Sequence, residues 1–252
     1  MRFIRVKDSE EMSGYAADLI TSTIQQQPHS VLGLATGGTP EQTYTLLIEK
    51  YKKNALTFAA VRTVNLDEYV GLPSDDPNSY RSYMDKHLFA KIDIRTENCH
   101  IPNGEANSID DECRHYDRLI ERIGGIDLQL LGIGQNGHIG FNEPGTPFDS
   151  GTHCVTLTDS TRRANARYFA SAEDVPKQAI TVGIGTILKS KKILLLVTGL
   201  KKAEALKQLI GSQQLRDEFP ASALWKHANV TVVADQAACA LLTEKEEEAL
   251  HD

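Results

Sequence analysis

Short apolar runs alternate with amphipathic stretches along most of this chain. The runs SVLGLA at 30–35 and ILLLV at 193–197 are almost continuously apolar, which is typical of strands buried on both faces of a parallel sheet. Helical patterning fills many of the intervening stretches. The segments predicted as strands are RFIRV, SVLGLA, AAVRTVNL, IDLQLLGIG, HCVTLT, KKILLLVTG and NVTVVAD. This alternation predicts an α/β fold with a doubly wound, mostly parallel sheet and helices on both faces.

No linker or internal repeat divides the chain, so we predict a single domain over residues 1–252. Two long loops rich in proline and glycine, at 70–79 and 140–152, interrupt the alternation. Long loops in compact domains are often functional. In open Rossmann-like sheets, ligands bind at the carboxyl ends of the strands. The residues that directly follow each predicted strand are therefore the first candidates for a site.

The composition narrows the class of protein. Of the 252 residues, 40% are hydrophobic, 24% are charged and 6% are aromatic, and the formal net charge is −7. This acidic balance argues against a general nucleic-acid-binding surface, although a few local donors still suffice to bind a small anion. The N-terminus has neither a signal-peptide core nor a transmembrane run, and the four widely spaced cysteines predict free thiols. We therefore predict a cytoplasmic protein without nucleic-acid or membrane partners.

The first candidate site is the turn after SVLGLA. Thr36-Gly37-Gly38-Thr39 makes a tight turn, and Pro40 occupies a position favoured at the start of a helix. Glycines let backbone N–H groups approach a ligand, and a helix N-terminus favours negative charge, so the turn predicts a phosphate cradle. The alternative is that Thr39 only caps the helix and the glycines only form a turn. No Gly-Lys-Ser/Thr follows, so this is not a Walker A loop.

The second candidate is the acidic pair Asp67-Glu68, which directly follows the strand AAVRTVNL. A carboxylate beside an apolar wall has a raised pKa and can take a proton from a carbon next to a carbonyl. For an isolated acidic pair, a helix cap or a loop carboxylate is the more ordinary role.

The third candidate is the loop LGIGQNGHIGFNEP at 131–144. Its residues 132–137 formally fit the dinucleotide fingerprint G-x-G-x-x-G. That fingerprint must open a helix, and the following FNEPGTP cannot continue one, so we reject a nicotinamide site. The glycines instead allow close backbone approach to a small ligand, with His138 facing the cleft. Glu143 is placed to orient this histidine, as carboxylates do in hydrolytic triads.

The fourth candidate is basic. Arg162, Arg163 and Arg167 lie on one predicted helix, and Lys201 and Lys202 follow the strand KKILLLVTG. A few cations around a glycine cradle suit a phosphomonoester. Solvated side chains remain the alternative for Arg162, Arg163 and the lysine pair.

With these four sites together, the sequence resembles the glucosamine-6-phosphate deaminase family (the glucosamine/galactosamine-6-phosphate isomerases), over residues 1–240. The motifs that carry the resemblance are ATGGTP at 35–40, NLDEYVGL at 65–72, LGIGQNGHIGFNEP at 131–144, TRRANARYF at 161–169 and TVGIGTIL at 181–188. The resemblance implies conversion of glucosamine 6-phosphate and water to fructose 6-phosphate and ammonia, in the catabolism of amino sugars, without a cofactor or metal.

The resemblance also implies roles for the site residues. Asp67 is the base that moves the C2 proton during aldose-to-ketose conversion. His138 transfers the proton that opens the sugar ring, and Glu143 supports it. Many family members have an aspartate where this chain has Asn136, and an asparagine contributes orientation by hydrogen bonding. The residues implied to hold the substrate phosphate are Thr36, Gly37, Gly38, Thr39, Arg167 and Lys202.

The resemblance further implies a mobile lid over the sugar, at about 160–187. Allosteric members of the family bind an activator through basic residues shortly after FNEP, where this chain has His153 and Val155. We therefore expect no allosteric activation, and a monomer or a small homo-oligomer.

Three alternatives are weighed against the deaminase. A 6-phosphogluconolactonase-like hydrolase and a pentose-phosphate isomerase are disfavoured by the intact DEYVGL and FNEP motifs. A non-catalytic sugar-phosphate-sensing domain of a transcriptional regulator is disfavoured because residues 1–30 leave no room for a helix-turn-helix. Asp67, His138 and Glu143 together also favour an enzyme.

Overall fold

The computed structural model describes residues 1–166, 169, 171 and 173–243, apart from the side chains of Ser160 and Ala164. The strands are β1 (Arg2–Val6), β2 (Val31–Leu34), β3 (Arg62–Asn65), β4 (Asp67–Tyr69), β5 (Cys99–His100), β6 (Leu128–Gly132), β7 (His153–Thr156), β8 (Gln178–Thr181), β9 (Ile193–Val197) and β10 (Val230–Asp235). The α-helices are α1 (Ser9–Gln26), α2 (Glu41–Lys52), α3 (Tyr80–His87), α4 (Ile109–Arg122), α5 (Asp159–Asn165), α6 (Ile184–Leu188) and α7 (Ala203–Gly211).

Seven strands form the main sheet, in the order β1-β10-β9-β6-β2-β3-β5. Every pairing in this sheet is parallel. The predicted α/β fold with a mostly parallel sheet is therefore confirmed. The first strand pairs with the last, Arg2 lying opposite Thr231, so the two ends of the described chain meet at one edge of the sheet.

The apolar strands are buried on both faces, as their pattern predicts. All five residues of β9 are buried, and they alternate between two hydrophobic cores. Leu194 and Leu196 pack with the apolar faces of α1, α2 and α3. Leu195 and Val197 pack on the other face of the sheet, with residues of α4, α6 and α7. Helices on both faces explain why these strands show no polar alternation.

A second, small sheet of the order β4-β8-β7 is antiparallel, and the sequence pattern did not predict it. The segment HCVTLT was predicted as a strand of the same alternation, but it forms β7 in this small sheet instead. β4 was missed because only Leu66 separates it from β3. The sheet packs beside the carboxyl end of β3, which makes Asp67 the first residue of a strand.

The predicted lid at about 160–187 overlaps both described and undescribed residues. Its C-terminal part forms β8 and α6, whose apolar side chains at Ile180, Ile184 and Ile187 are fully buried. Residues 167, 168, 170 and 172 of the segment lie outside the described residues. The mobility of the lid stays a prediction.

Within the described residues, no helix has both the length and the apolar character that crossing a membrane requires. Cys99, Cys113, Cys154 and Cys239, all of them described residues, form no disulfide, and Cys154 is the least buried of them.

Candidate active site

The predicted site residues that the structure describes come together at one edge of the main sheet. They follow the carboxyl ends of β9, β6, β2 and β3, which are consecutive neighbours in the sheet. Parallel strands end at the same edge, so residues that are far apart in sequence meet there. This edge is the candidate active site.

The turn after β2 has the backbone that a phosphate cradle needs. Gly37 has a φ of 89°, a conformation that favours glycine. Its carbonyl accepts a hydrogen bond from the Tyr83 hydroxyl at 2.7 Å, which fixes the turn against α3. Helix α2 begins at Glu41, and among the described residues no side chain caps it. Thr39 is therefore not the helix cap that the alternative required, and the helix N-terminus faces the turn.

Asp67 is a buried carboxyl group with unusual surroundings. It is 7% exposed, and no hydrogen-bond donor of the described residues reaches its carboxylate. Burial, and then the negative charge of Glu68, raise the pKa of Asp67 from 3.8 to about 8. A base whose pKa lies near the working pH is the most effective kind.

Glu68, the neighbour of Asp67, does structural work. Its carboxylate accepts the N–H groups of Tyr69 at 2.8 Å, Tyr80 at 3.0 Å and Arg81 at 3.0 Å. These bonds fix the start of α3 beside β4. Burial raises the pKa of Glu68, and the same three hydrogen bonds oppose that rise. Both oxygens of Glu68 thus accept hydrogen bonds from the backbone, whereas the carboxyl group of Asp67 accepts none from the described residues.

An aromatic wall lies beside Asp67. The rings of Tyr69 and Tyr80 are 4.8 Å apart, and Phe141 stacks on Tyr80 at 6.2 Å. The Tyr80 hydroxyl also interacts with the side chain of Thr36 in the phosphate turn. The charge of Asp67 helps to raise the pKa values of both Tyr69 and Tyr80, so these rings lie near that carboxyl group as well as near the turn.

The loop after β6 holds His138 against a glycine. A Cβ added at Gly134 would lie 2.2 to 2.4 Å from atoms of the His138 ring, so the ring lies directly over the bare Cα of this glycine. The N–H of Gly134 donates to the His138 carbonyl at 2.8 Å. The next α-helix begins only at Asp159, which agrees with the rejection of a dinucleotide fingerprint here.

Glu143 is surrounded by donors, in contrast to Asp67. Asn136 Nδ2 donates to Glu143 Oε2 at 2.7 Å, and His138 Nδ1 lies 3.7 Å from the same oxygen. Thr161 Oγ1 donates to the other oxygen at 2.5 Å. Burial alone would raise the pKa of Glu143, but the His138 ring, the Thr161 hydroxyl and the Asn136 amide together lower it to about 2. Glu143 therefore carries a full negative charge beside His138.

Gly140 brings the two acidic regions together. It lies between His138 and Glu143 in sequence and has a φ of 59°. A Cβ added there would lie 3.9 Å from Asp67 Oδ2 and 3.0 Å from Thr181 Oγ1. The loop that carries the histidine thus packs against the Asp67 carboxylate.

The two basic residues predicted to bind the phosphate differ in whether the structure describes them. Lys202 lies in the 3₁₀ turn Leu200–Lys202 at the end of β9, where it reaches the candidate site edge. The turn is held by Asp235, which accepts the N–H of Gly199 at 3.0 Å and the Thr198 hydroxyl at 2.5 Å. Arg167 lies outside the described residues.

The other arginines of the same segment have separate positions. Arg162 donates to the carbonyls of Glu173 at 3.5 Å and Val175 at 3.1 Å, and Arg163 is exposed. In this structure the Arg162 guanidinium is therefore used to hold backbone carbonyls.

Two contacts escaped the sequence analysis. The pattern S/T-x-x-T at 158–161 marks a helix start, and Thr158 indeed caps α5, but nothing in it shows that Thr161 reaches Glu143. Asp235 ends a strand, which is a general signal for a site, yet its partner at Gly199 is distant in sequence. Across the described residues, no group of three His, Cys, Asp or Glu side chains is arranged to hold a metal ion.

Comparisons with known proteins agree with this geometry. The sequence model of the family described as glucosamine-6-phosphate isomerases/6-phosphogluconolactonase matches residues 7–233. A relative from Shouchella clausii (strain KSM-K16), named glucosamine-6-phosphate deaminase, is 60% identical over 97% of this chain and 99% of its own length. A solved structure of a monomeric glucosamine-6-phosphate deaminase is 52% identical, with a TM-score of 0.94 over 96% of this chain and 100% of that one. A 6-phosphogluconolactonase from Trypanosoma brucei is 18% identical, with a TM-score of 0.79 over 96% of this chain and 98% of that one, which shows a shared fold.

Proposed function

The chain belongs to the glucosamine-6-phosphate isomerase/6-phosphogluconolactonase family, and on that premise we propose that it is a glucosamine-6-phosphate deaminase. It converts glucosamine 6-phosphate and water to fructose 6-phosphate and ammonia, an activity of amino-sugar metabolism. The relative from Shouchella clausii that bears this name is 60% identical to this chain over 97% of the chain's length.

One observation of the site carries the proposed mechanism: Asp67 and Glu143 have opposite surroundings, and the loop that carries Glu143 packs against Asp67 at Gly140. Carboxyl groups whose pKa values are pushed apart mark different acid–base roles. Glu143 stays charged and supports a proton on His138. His138 transfers that proton to the ring oxygen as the ring C1–O bond breaks, and it takes back the proton of the C1 hydroxyl, which leaves an aldehyde at C1. Asn136 orients Glu143 through its amide. Asp67 then takes the proton from C2.

The remaining steps follow from the chemistry of an amino sugar. Asp67 returns the proton to C1, which converts the aldose into a C2 imine. Water adds to C2, the C–N bond breaks, and the nitrogen leaves as ammonia with fructose 6-phosphate as the product. C1 is reduced as C2 is oxidised within the same molecule, so these steps need no external oxidant or reductant and the chain's own acids and bases are sufficient for them.

The substrate phosphate is assigned to the turn after β2. Backbone N–H groups around Gly37 and Gly38, the hydroxyls of Thr36 and Thr39, and the N-terminus of α2 make this turn suitable for an anion. Lys202 supplies a cation from the end of β9. Arg167, outside the described residues, is the second proposed cation.

The two competing functions receive no specific support. Structures of 6-phosphogluconolactonases from Trypanosoma cruzi and Trypanosoma brucei share the fold at 20% and 18% identity, which says nothing about the reaction. A sensing domain needs the phosphate turn but gives no reason for the opposite environments of Asp67 and Glu143. By analogy with the monomeric deaminase that it resembles, we propose that the chain works as a monomer, and we place it in the cytoplasm.

The decisive experiment measures ammonia and fructose 6-phosphate together, from glucosamine 6-phosphate and purified protein in the presence of a metal chelator. Equal amounts of both products support the deaminase. Substrate binding without either product contradicts it and favours a sensing domain. Hydrolysis of 6-phosphogluconolactone without ammonia release from the amino sugar favours the lactonase.

A further inference from the structure

The contacts of Glu143 come from two different elements. Asn136 and His138 belong to the same loop as Glu143, so they move with it. Thr161 belongs to α5, and its hydroxyl donates to Glu143 Oε1 at 2.5 Å across 18 residues of sequence. Among the described residues, this is the hydrogen bond that joins the carboxylate to a helix outside its own loop.

The Thr161 hydroxyl has only one way to orient its hydrogen. It is 8% exposed, and it accepts a hydrogen bond from the Thr158 hydroxyl at 3.0 Å. A hydroxyl has a single hydrogen to donate, and here that hydrogen goes to Glu143. Thr158 also accepts the N–H of Thr161 at 3.2 Å and so caps α5. The start of the helix and the carboxylate are therefore linked by a chain of two hydroxyls.

Arg162, the residue after Thr161 in α5, connects the helix to the segment before β8. Arg162 Nε and Nη2 donate to the Val175 carbonyl at 3.3 and 3.1 Å, and Nη2 also reaches the Glu173 carbonyl at 3.5 Å. These carbonyls belong to the segment that leads into β8. A displacement of this segment or of α5 therefore acts on the Thr161–Glu143 hydrogen bond.

We propose that Thr161 is a positioning residue of the reaction, whose hydroxyl holds Glu143 in the orientation that supports His138 and makes that support depend on the place of α5. The inference rests on the proposed function, because it concerns the proton that His138 transfers in ring opening. Glu143 faces one titratable side chain in this contact set, His138 of its own loop. The other two groups, Asn136 and Thr161, are neutral.

Three single variants separate this role from ordinary packing. Thr161→Val keeps the shape of the side chain and removes the hydroxyl, whereas Thr161→Ser keeps the hydroxyl. Thr186→Val is the matched control, because Thr186 is also 8% exposed and donates to a carboxylate, that of Asp117, at 2.9 Å outside the site. Thermal unfolding of each variant confirms that it is folded at the assay temperature. Thr161→Ala replaces the valine variant if the latter does not fold.

We expect Thr161→Val to lower kcat about tenfold, the scale of one hydrogen bond to a charged group, and to change KM less than about twofold. Thr161→Ser restores most of kcat, and Thr186→Val stays within about twofold of the wild type. A valine variant with wild-type kcat overturns the proposal, as does an equal loss in the Thr186 control.

A double-mutant cycle supplies the readout that a merely structural role would not move. If Thr161 acts through Glu143, then Thr161→Val has less than about a twofold further effect in a Glu143→Gln background. The same tenfold loss in both backgrounds overturns the proposal, because it shows an effect independent of the carboxylate. The proposed function fails separately, when the wild-type protein itself releases no ammonia.

Discussion

Two acidic regions of this protein face the same edge of the sheet and have been given opposite chemistry. Asp67 lies behind an aromatic wall with no donor from the described residues, and its pKa rises to about 8. Glu143 is also buried, yet its three side-chain neighbours lower its pKa to about 2. Burial is common to both, so it does not decide the outcome. The donors decide it, because hydrogen bonds to the charged form outweigh desolvation at Glu143 alone.

This difference in pKa suits the two carboxyl groups to different roles in the proposed reaction. A carboxyl group without donors is a stronger base when it ionises, which suits removal of a proton from carbon. A carboxylate that stays charged suits the support of a histidine cation. The following predictions test the contrast, from the largest expected effect to the smallest.

Replacing the base has the largest effect. We expect Asp67→Asn to lower kcat about 10²- to 10⁴-fold, because the amide cannot accept the C2 proton, while KM changes only a few-fold. Ammonia release from glucosamine 6-phosphate is the measurement. The control is Asp18→Asn, the same change at an exposed ion pair with Lys50, and it leaves kcat unaltered. Turnover at the wild-type rate by Asp67→Asn rules out Asp67 as the base.

Neutralising the second carboxylate has a smaller effect. We expect Glu143→Gln to lower kcat about 10- to 100-fold, because His138 loses a charged neighbour but keeps its place over Gly134. The matched control is Glu121→Gln, since Glu121 pairs with Lys189 on the surface. If Glu143→Gln costs more than Asp67→Asn in parallel assays, the assignment of the two carboxylates is reversed.

The pH dependence of kcat/KM reports the pKa of Asp67 in the free enzyme. The base works when ionised, so we expect kcat/KM to fall about tenfold for each pH unit below about 8. Glu68→Gln removes the neighbouring charge and moves this acid limb to lower pH. The amino group of the substrate also titrates in this range, but its titration would stay fixed in that variant. An acid limb that Glu68→Gln leaves in place therefore argues that Asp67 is not the group observed.

Stability against pH separates the two carboxylates by sign. Between about pH 4 and 8, folded Asp67 keeps a proton that the unfolded chain has released, so its contribution to stability falls as pH rises. Asp67→Asn is therefore expected to raise the thermal midpoint at pH 8 by several degrees, and hardly at pH 5.

Glu143 behaves in the opposite way. Its charged form is favoured by folding, so its stabilising contribution is complete above about pH 4.5 and is lost as pH falls toward 2. Glu143→Gln is expected to lower the thermal midpoint at pH 7 by a few degrees, with a smaller difference at pH 4. Calorimetry of both variants at pH 4, 5, 7 and 8 checks these shifts, and shifts of the same sign for the two variants at pH 8 contradict the contrast.

The sequence predicted the strands that surround the site better than the side-chain contacts within it. Strands such as β9 are apolar on both faces, so their burial and parallel pairing could be predicted. Strand ends then located Asp67 and His138 at one edge, because parallel strands end together. The small antiparallel sheet was missed because only Leu66 separates β4 from β3, and because the strand pattern of HCVTLT does not show that it pairs outside the main sheet.

Side-chain contacts between distant elements left no trace in the pattern. The family motif includes Thr161, but only the folded chain brings its hydroxyl to Glu143. The lowered pKa of Glu143 was equally hidden, since it depends on the donors that surround this carboxylate. The sequence predicted a raised pKa for a strand-end carboxylate from its apolar surroundings. It did not predict that three backbone N–H groups donate to Glu68.

The pairing of β1 with β10 has a consequence for biosynthesis. Among the described strands, β1 is the first to be synthesised, but its partner β10 is the last. Until then β1 has no place in the sheet, and β9 presents an open edge on the side that β10 will cover. Contacts of such long sequence separation slow folding, so we expect β1 to join the sheet late in folding.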